Sequence, residues 1–191
     1  MARPKSEDKR NAILAAATRV FADEGLAAAT ARIAKQAGVA DGTLFTYFSS
    51  KDELLNQLYL QLKAELREVM MADYPRDAAL EARVRHVWQR YVAWGAANAH
   101  KRKTMAQLGM SERVSAESRA QGSAGFADIT ALQAEGLGTG PLCDVQPTYF
   151  GALMGALADV TMEFMAREPA SADRYRDAGF AVFWNGITTK T

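Results

Sequence analysis

The sequence predicts an all-α protein, and three observations support this fold class. The good helix formers Ala, Leu, Met, Arg, Glu and Gln are abundant, whereas strand-like runs of Val, Ile and Thr are nearly absent. Apolar residues recur at helical spacing along most of the chain. Only five prolines interrupt the 191 residues. The length is enough for one ordinary domain, or for a small module plus a larger one.

The first 50 residues predict a polar, basic arm followed by three short helices. Gly25 is placed to stop the first helix, and Gly38 breaks the second. Val39 and Ala40 then form a tight turn. The three helices are expected at residues 8–24, Thr30 to Ala37 and Asp41 to Phe48.

A fourth helix is expected to open at the capping box Ser50-Lys51-Asp52-Glu53, in which the Ser50 oxygen accepts from the Glu53 amide. It should end near Tyr74-Pro75, because the residue before a proline resists the α conformation. Residues 135–147 hold three glycines and two prolines, which predicts a loop. The other helices are expected at about 80–99, 100–108, 111–134, 147–167 and 171–188.

Composition excludes several kinds of site. The single cysteine, Cys143, rules out an internal disulfide and a cysteine-based zinc site. His86 and His100 are too far apart to indicate a metal cluster, and no nucleophile–base pair or phosphate loop indicates an enzyme. We therefore expect no metal, no cofactor and no catalytic activity. Without a signal region or an apolar run of about 18 residues, we expect a cytoplasmic protein with no membrane partner.

The charge is unevenly distributed. Residues 1–51 carry eight Lys and Arg against five acids, or +3, whereas residues 52–191 carry 15 against 17, or −2. A basic N-terminal segment on a slightly acidic body suits a module that meets a polyanion at one end.

Helices two and three have the pattern of a helix-turn-helix. Such a motif needs a small residue where the helices touch, a glycine in the turn, and apolar residues that lock the second helix onto the first. Ala34 is the small residue, and Gly38 can take a positive φ without strain. The residues expected to fill the small core are Phe21, Ile33, Val39 and Leu44.

The third helix has the side chains that a groove-reading helix needs. Its start is small and polar, so DNA can approach the backbone closely. Thr43 and Thr46 are expected to reach base edges or phosphates, and a threonine methyl can contact thymine. Tyr47 offers a hydroxyl to a phosphate, and Lys51 adds a cation beside the amides that begin the fourth helix. Asp41 repels DNA and is not expected to contact it.

The stretch from Ile33 to Leu54, IAKQAGVADGTLFTYFSSKDEL, resembles the signature of the TetR family of bacterial one-component transcriptional repressors. The resemblance covers about the first 55 residues, including Phe21 and Gly25. Several residues of different chemistry fall at fixed spacing, which makes the match specific. Beyond it, the chain is similar to the family in length, helicity and an apolar C-terminal part.

This resemblance implies a DNA-binding domain at residues 1–50 and an effector-binding and dimerisation domain at 51–191, linked by the helix from 50 to about 72. It implies phosphate contacts from Thr30, Tyr47 and Lys51. The residues it assigns to base or backbone contacts are Gly42, Thr43, Phe45 and Thr46. The chain departs from the family pattern at two helix starts, where Ala29 and Ala40 replace the usual Ser or Thr cap.

The resemblance also implies homodimerisation through the last two helices. Each has apolar or small residues on two sides, which is typical of a helix sandwiched between others. A four-helix bundle made by two protomers would bury both sides, although both could also pack within a monomer. The interface residues expected on this basis are Gly151, Gly155, Tyr175, Gly179 and Val182.

A small-molecule pocket is the other property that the resemblance implies for the larger domain. Aromatic side chains and flexible methionines form adaptable apolar pockets, which indicates an apolar or aromatic effector. The alternative is that these residues form ordinary core. The pocket residues expected are Trp88, Tyr91, Trp94, Met105, Phe126 and Met154.

These features predict a repressor that binds a palindromic double-stranded operator as a dimer and is released by the effector. The fourth helix begins at the DNA and continues into the larger domain, which makes it the expected lever. The alternative from a different class is a DNA-binding regulator or architectural factor that a protein partner controls, with no small-molecule ligand.

Overall fold

The computed structural model describes residues 6–137, 142, 145 and 147–188. Over these residues the secondary structure is helical, with no strand, which confirms the predicted all-α fold. Within the same residues, no helix combines the length and apolarity needed to cross a lipid bilayer. The helices are α1 Glu7–Glu24, α2 Thr30–Gln36, α3 Asp41–Tyr47, α4 Lys51–Met71, α5 Leu80–Ala97, α6 Ala99–Met110, α7 Ala116–Ala124, α8 Ala127–Leu137, α9 Pro147–Arg167 and α10 Ala172–Ile187.

The boundaries of the first four helices follow signals in the sequence. Gly25 ends α1 with a φ of 83°, and Gly38 follows α2 with a φ of 68°, as predicted. Ser50 Oγ accepts from the Glu53 amide at 3.1 Å, so the predicted cap is formed. The Glu53 carboxylate reaches back to the amide and hydroxyl of Ser49, one residue further than a standard capping box. Helix α4 ends at Met71, three residues before the predicted end.

The prediction of one helix over residues 111–134 is wrong, because two helices form there. Residues 111–115 are not helical, and Ser115 Oγ caps the start of α7 by accepting from the Ser118 amide at 3.1 Å. The helical structure is interrupted a second time at Gly125, before α8 begins. Helix α8 then runs three residues into the predicted loop, where Glu135 pairs with Arg83 of α5 at 2.5 Å. Most of the predicted loop lies outside the described residues.

The chain forms two compact units, Met1–Glu65 with Asn98–Ala124 and Leu66–Ala97 with Gly125–Thr191. The first unit thus contains the helix-turn-helix together with α6 and α7. The functional division at residue 50 stays a prediction, because compactness alone does not report which residues bind DNA or a ligand.

The first unit has one continuous apolar core built around α1 and α4. Fully buried side chains from α1, such as Leu14 and Phe21, belong to the same apolar cluster as Leu54 and Leu58 of α4. Helix α6 is fastened to α1 by a buried hydrogen bond, in which the Thr104 hydroxyl donates to Thr18 O at 2.7 Å. The same core continues through the loop after α6.

The α6–α7 loop is fastened to the start of α4. Asn56 Nδ2 donates to Arg113 O at 3.0 Å, and Asn56 Oδ1 accepts from the Ser115 amide at 2.9 Å. Arg113 Nε also pairs with Asp52 at 2.5 Å, and Val114 is buried in the core of the unit. These contacts fix the first turns of α4, the segment that begins with Lys51.

The second unit is organised around aromatic packing between α5, α9 and α10. The Trp88 ring is fully buried and stacks on Phe183, with 5.8 Å between centroids and 17° between planes. Its indole Nε1 donates to Arg176 O at 3.0 Å, so the polar atom of this buried ring is satisfied. Phe150 of α9 packs on Phe183 from another side, at 5.4 Å. Aromatic rings therefore hold these three helices together.

Candidate nucleic-acid interface

Helices α2 and α3 have the geometry of a helix-turn-helix. Ile33, Ala34 and Leu44 are at most 1% exposed, so apolar contacts lock α3 onto α2 as predicted. Gly38 lies in the left-handed region within the turn, which an L side chain would adopt only with strain. The Val39 amide donates to Ala34 O at 3.0 Å and closes the turn. These contacts hold α3 against α2 and leave one face of α3 accessible.

The exposed face of α3 carries Gly42, Phe45 and Thr46, with Phe45 48% exposed. Leu44 and Phe48 are buried and serve as scaffold, in agreement with the apolar pattern of the sequence. Thr46 Oγ1 donates back to Gly42 O at 3.2 Å. The hydroxyl hydrogen of Thr46 is therefore held by its own helix.

Thr43 and Tyr47 are half-buried and lie at the edge of that face. The Tyr47 hydroxyl accepts from the Ser6 amide at 3.1 Å, which fixes the start of α1 against the end of α3. Because the oxygen accepts in this bond, the hydroxyl hydrogen can still donate to a phosphate. The long sequence separation of Ser6 and Tyr47 hid this contact from sequence reasoning.

Lys51 lies at the start of α4 and is tied to the loop between α1 and α2. Its Nζ donates to Ala28 O at 2.6 Å and lies 5.9 Å from the centroid of the Phe21 ring. Burial lowers the pKa of the Lys51 ammonium, and the nearby positive charge of Arg113 lowers it further. An ammonium has several donors, so the one that bonds Ala28 leaves others that can reach a phosphate.

The two helix starts that lack a Ser or Thr cap are observed as predicted. Ala29 precedes α2 and Ala40 precedes α3, and neither start has a side-chain hydrogen bond to its cap. Thr30 is the first residue of α2, half-buried, two positions after the carbonyl that Lys51 holds. Lys51 therefore fixes the segment that leads into the predicted phosphate contact at Thr30.

Two further cations near the motif were not assigned from the sequence. Arg32 of α2 donates from Nε and Nη2 to Glu24 Oε1, at 3.1 and 2.6 Å. Arg10 of α1 donates to Gln57 at 3.0 Å, and its guanidinium lies 5.8 Å from the centroid of the Phe48 ring. Their partners lie across turns and between helices, where sequence spacing gives no signal.

The residues predicted for the effector pocket divide between the two units. Trp88, Tyr91, Trp94 and Met154 are buried in the second unit, at 0–8% exposure, and Phe126 of the same unit is half-buried. Met105 belongs to the first unit and packs against the core of that unit. The second unit therefore contains an aromatic cluster, and Met105 is not part of it.

The residues predicted for the dimer interface also differ in exposure. Val182 is 63% exposed on α10, and Gly151 is exposed on α9. Tyr175 is half-buried, with its ring 5.5 Å from that of Phe164, and Gly155 lies beside the Tyr91 hydroxyl. Val182 and Gly151 are thus accessible, whereas Tyr175 and Gly155 lie against other side chains of the same unit.

Gly179 is buried and faces its own chain. A Cβ built there would overlap Thr161 Oγ1 and lie 2.8 Å from Trp88 Cζ2. The sequence placed Gly179 on an interface face, whereas the structure uses it for close packing of α10 against α9 and α5. On α9, the large exposed apolar side chains that the sequence did not assign to the interface are Tyr149, Val160 and Phe164.

Together, the buried helix-turn-helix core and the accessible face of α3 define a helix-turn-helix DNA-binding protein. A family model described as bacterial regulatory proteins of the tetR family matches residues 13–58. Over these residues, the chain is similar to the TetR family of bacterial regulatory proteins.

The likeness to solved structures extends over nearly the whole chain. A TetR-family transcription regulator from Shewanella sp. PV-4 is 29% identical, with a TM-score of 0.82 over 95% of this chain and 99% of that one. FadR from Bacillus subtilis, solved in complex with stearoyl-CoA, is 21% identical, with a TM-score of 0.68 over 93% of this chain and 99% of that one. The second likeness shows a shared fold.

The likeness in sequence is concentrated at the N-terminus. The fatty acid metabolism regulator protein of Bacillus subtilis is 36% identical over 73 residues, which cover 38% of this chain and 38% of that protein. The match thus spans less than half of that curated relative.

Proposed function

We propose that this protein is a transcriptional repressor that binds a palindromic DNA operator as a homodimer and is released by a small apolar or aromatic effector. The observation that carries the proposal is the accessible face of α3, held by a fully buried scaffold on its other side. A recognition helix needs this arrangement to enter the major groove without unfolding the module. Tyr47 and Lys51 at its end supply a hydroxyl and a cation for phosphates.

The apolar surface of α9 and α10 supports the dimer in this proposal. Val160 and Val182 are more than half exposed, and Phe164 is 39% exposed. A second copy that packs the same helices against these side chains would bury them in an isologous interface. Two protomers then present two recognition helices, which accounts for selectivity that a single helix-turn-helix lacks.

The aromatic cluster of the second unit supports the effector in this proposal. Trp88, Tyr91 and Trp94 lie on successive turns of α5, and Met154 comes from α9. The FadR neighbour was solved with stearoyl-CoA, so this fold can hold a ligand with a long apolar chain. Helix α4 begins at Lys51 and passes into the second unit at Leu66, which makes it the proposed lever.

The experiment has two stages. The full-length protein first selects its operator from a pool of random DNA duplexes. Small apolar and aromatic compounds are then screened for a rise in Tm of the free protein, and each compound that binds is titrated into the protein–operator complex. We expect a bound compound to weaken operator affinity by about 5- to 150-fold.

Other outcomes would change the proposal in different ways. A compound that binds tightly and leaves operator affinity unchanged would contradict the release mechanism. Selective operator binding without any stabilising compound would favour a regulator controlled by a protein partner. The absence of any selected sequence would contradict operator recognition itself.

A further inference from the structure

We propose that α3 recognises its operator mainly through the 5-methyl groups of thymines, which the Phe45 ring and the Thr46 methyl group contact. This inference rests on the proposed function, since it assumes that α3 enters the major groove. It adds the kind of base that α3 selects, and three observations support it.

The first observation is the chemistry that α3 lacks. Bidentate recognition of guanine uses Arg or Lys, and bidentate recognition of adenine uses Asn or Gln. Helix α3, DGTLFTY over Asp41–Tyr47, contains none of these four residue types. Asp41 is the only charged residue of this helix, and its carboxylate can accept a hydrogen bond from a base amino group but cannot form the bidentate contacts of these four residue types. The usual bidentate readout of purines is therefore not available to α3.

The second observation is the exposure of Phe45. Its neighbours Leu44 and Phe48 are at most 1% exposed and complete the core, whereas Phe45 is 48% exposed. Phe45 lacks the hydroxyl with which a tyrosine would bind a phosphate. Among the groups in the major groove, the thymine methyl is the apolar one that an aromatic ring can cover.

The third observation concerns Thr46 and Gly42, which lie one helical turn apart on the same face. The Thr46 hydroxyl donates to Gly42 O at 3.2 Å, so its hydrogen is used within the helix and the methyl group remains for an outside contact. Apart from its two chain neighbours and the backbone of its own helix, no atom of the described residues lies within 4 Å of the place where a Gly42 side chain would begin. The surface at Gly42 and Thr46 thus has little side-chain bulk, and a base pair can approach it closely.

These observations predict thymines at fixed positions of each operator half-site. Thr43, at the edge of the face, is then the residue of α3 that can add a directional hydrogen bond. Burial of one methyl group contributes about 0.8 kcal/mol, which corresponds to roughly fourfold in affinity. Removing two symmetry-related methyls should therefore cost roughly 15-fold.

The test replaces thymine by deoxyuridine, which removes the 5-methyl group and keeps every hydrogen-bonding group of the base. The selected operator is synthesised with symmetric substitutions, one thymine position at a time, and binding of the full-length protein is measured by fluorescence anisotropy. We expect operator affinity to fall roughly 15-fold when the substitution is made at one or two positions per half-site, and to stay unchanged when it is made at the flanking thymines.

Two variants assign the lost contacts to side chains. The Phe45→Ala variant should bind operators with thymine or deoxyuridine equally well at the position that Phe45 contacts. The Thr46→Ser variant should do the same at the position that Thr46 contacts. Thr46→Ser is a conservative change, because it keeps the hydroxyl that donates to Gly42 O and removes only the methyl group under test. Met110→Ala is the control, because Met110 of α6 is another exposed apolar residue of the first unit, at 81% exposure. This variant should still show the full loss of operator affinity when thymine is replaced by deoxyuridine.

The outcomes separate this inference from the proposed function. An operator that is bound selectively and equally well with deoxyuridine at every position would overturn thymine-methyl recognition and leave the repressor proposal standing. Deoxyuridine penalties that persist unchanged in both Phe45→Ala and Thr46→Ser would also overturn it, because other residues would then contact the methyl groups. If Phe45→Ala abolishes binding, Phe45→Leu replaces it in the same comparison, with a reduced penalty expected.

Discussion

At the scale of single residues, Lys51 illustrates how one side chain can serve both the fold and the interface. Its ammonium holds the Ala28 carbonyl at 2.6 Å and lies beside the Phe21 ring. This bond fixes the loop that leads into α2, whose first residue, Thr30, is a proposed phosphate contact. The remaining donors of the ammonium are then close to the same proposed phosphate.

Replacing Lys51 by Ala should weaken binding to all DNA sequences alike, because a phosphate contact carries no sequence information. The slope of log K against log salt should fall in magnitude by about one, and the free energy of unfolding by about 1 kcal/mol. Salt titrations and urea denaturation measure the two effects. Lys103→Ala, an exposed lysine of α6, is the control and should change neither. An unchanged salt slope with reduced stability would leave Lys51 a structural role only.

Thr43, unlike Lys51, should affect which DNA sequence the protein prefers. Thr43→Val removes the hydroxyl and keeps the shape of the side chain, so we expect the selected operator to change at one base pair per half-site. Each mismatched base pair typically costs about 1–3 kcal/mol in protein–DNA binding. Repeating the operator selection with the variant measures this directly. An equal loss of affinity on every sequence would contradict a base-reading role for Thr43.

At the scale of elements, α10 is held by close packing that depends on Gly179. The absence of a side chain there lets α10 approach Thr161 of α9 and the buried Trp88 ring of α5. Trp88 also binds the backbone of α10 through Arg176 O. The position of α10, and with it the accessible face that includes Val182, therefore depends on this contact.

Gly179→Ala should lower the free energy of unfolding by about 1–3 kcal/mol, although alanine favours helices more than glycine does. The added methyl would overlap Thr161 and Trp88, so one of them must move. Gly109→Ala is the matched control in α6, where nothing lies within 4 Å of an added Cβ. The free energy of unfolding of that variant should rise by about 0.5–1 kcal/mol. Denaturation followed by tryptophan fluorescence compares the two, and a Gly179 variant as stable as the wild type would contradict this packing.

The elements also show which parts of the structure can be predicted from the sequence. Helix ends marked by local chemistry were predictable, because Gly25, Gly38 and Ser50 act through their own backbone or side chain. The break between α7 and α8 was not, since it has a single glycine and no change of periodicity. The inward position of Gly179 depends on neighbours distant in sequence, which no local pattern reveals.

The candidate DNA interface likewise could be predicted from local sequence signals, whereas its contacts between residues distant in sequence could not. The motif from Ile33 to Leu54 predicted which helix would recognise DNA, because its spacing is local. It did not reveal that Lys51 bonds Ala28, that Tyr47 accepts from Ser6, or that Arg32 pairs with Glu24. Each of these contacts joins two elements across a turn or a helix pair, so it depends on the tertiary structure.

At the scale of the whole molecule, the proposal requires a dimer that presents two recognition helices. The accessible apolar side chains of α9 and α10 provide the surface for it, with Val182 the most exposed of them at 63%. An isologous contact would repeat each residue across the two-fold axis, so one changed residue acts twice.

Val182→Glu should therefore convert the dimer to a monomer and abolish selective operator binding, because a carboxylate would be buried twice in an apolar interface. Sedimentation velocity and anisotropy measure the two effects. Met110→Glu introduces the same charge at an exposed apolar position of the first unit and should change neither. A Val182 variant that stays dimeric would place the interface elsewhere.

The most direct measurement of the central claim is a hydroxyl-radical footprint of the full-length protein on its selected operator. Two recognition helices related by two-fold symmetry should protect two matching blocks on the same face of the duplex, with centres about one helical turn apart or a multiple of it. The blocks should disappear together when a releasing compound is added. A single protected block, or uniform protection along the duplex, would contradict recognition by a symmetric pair of α3 helices.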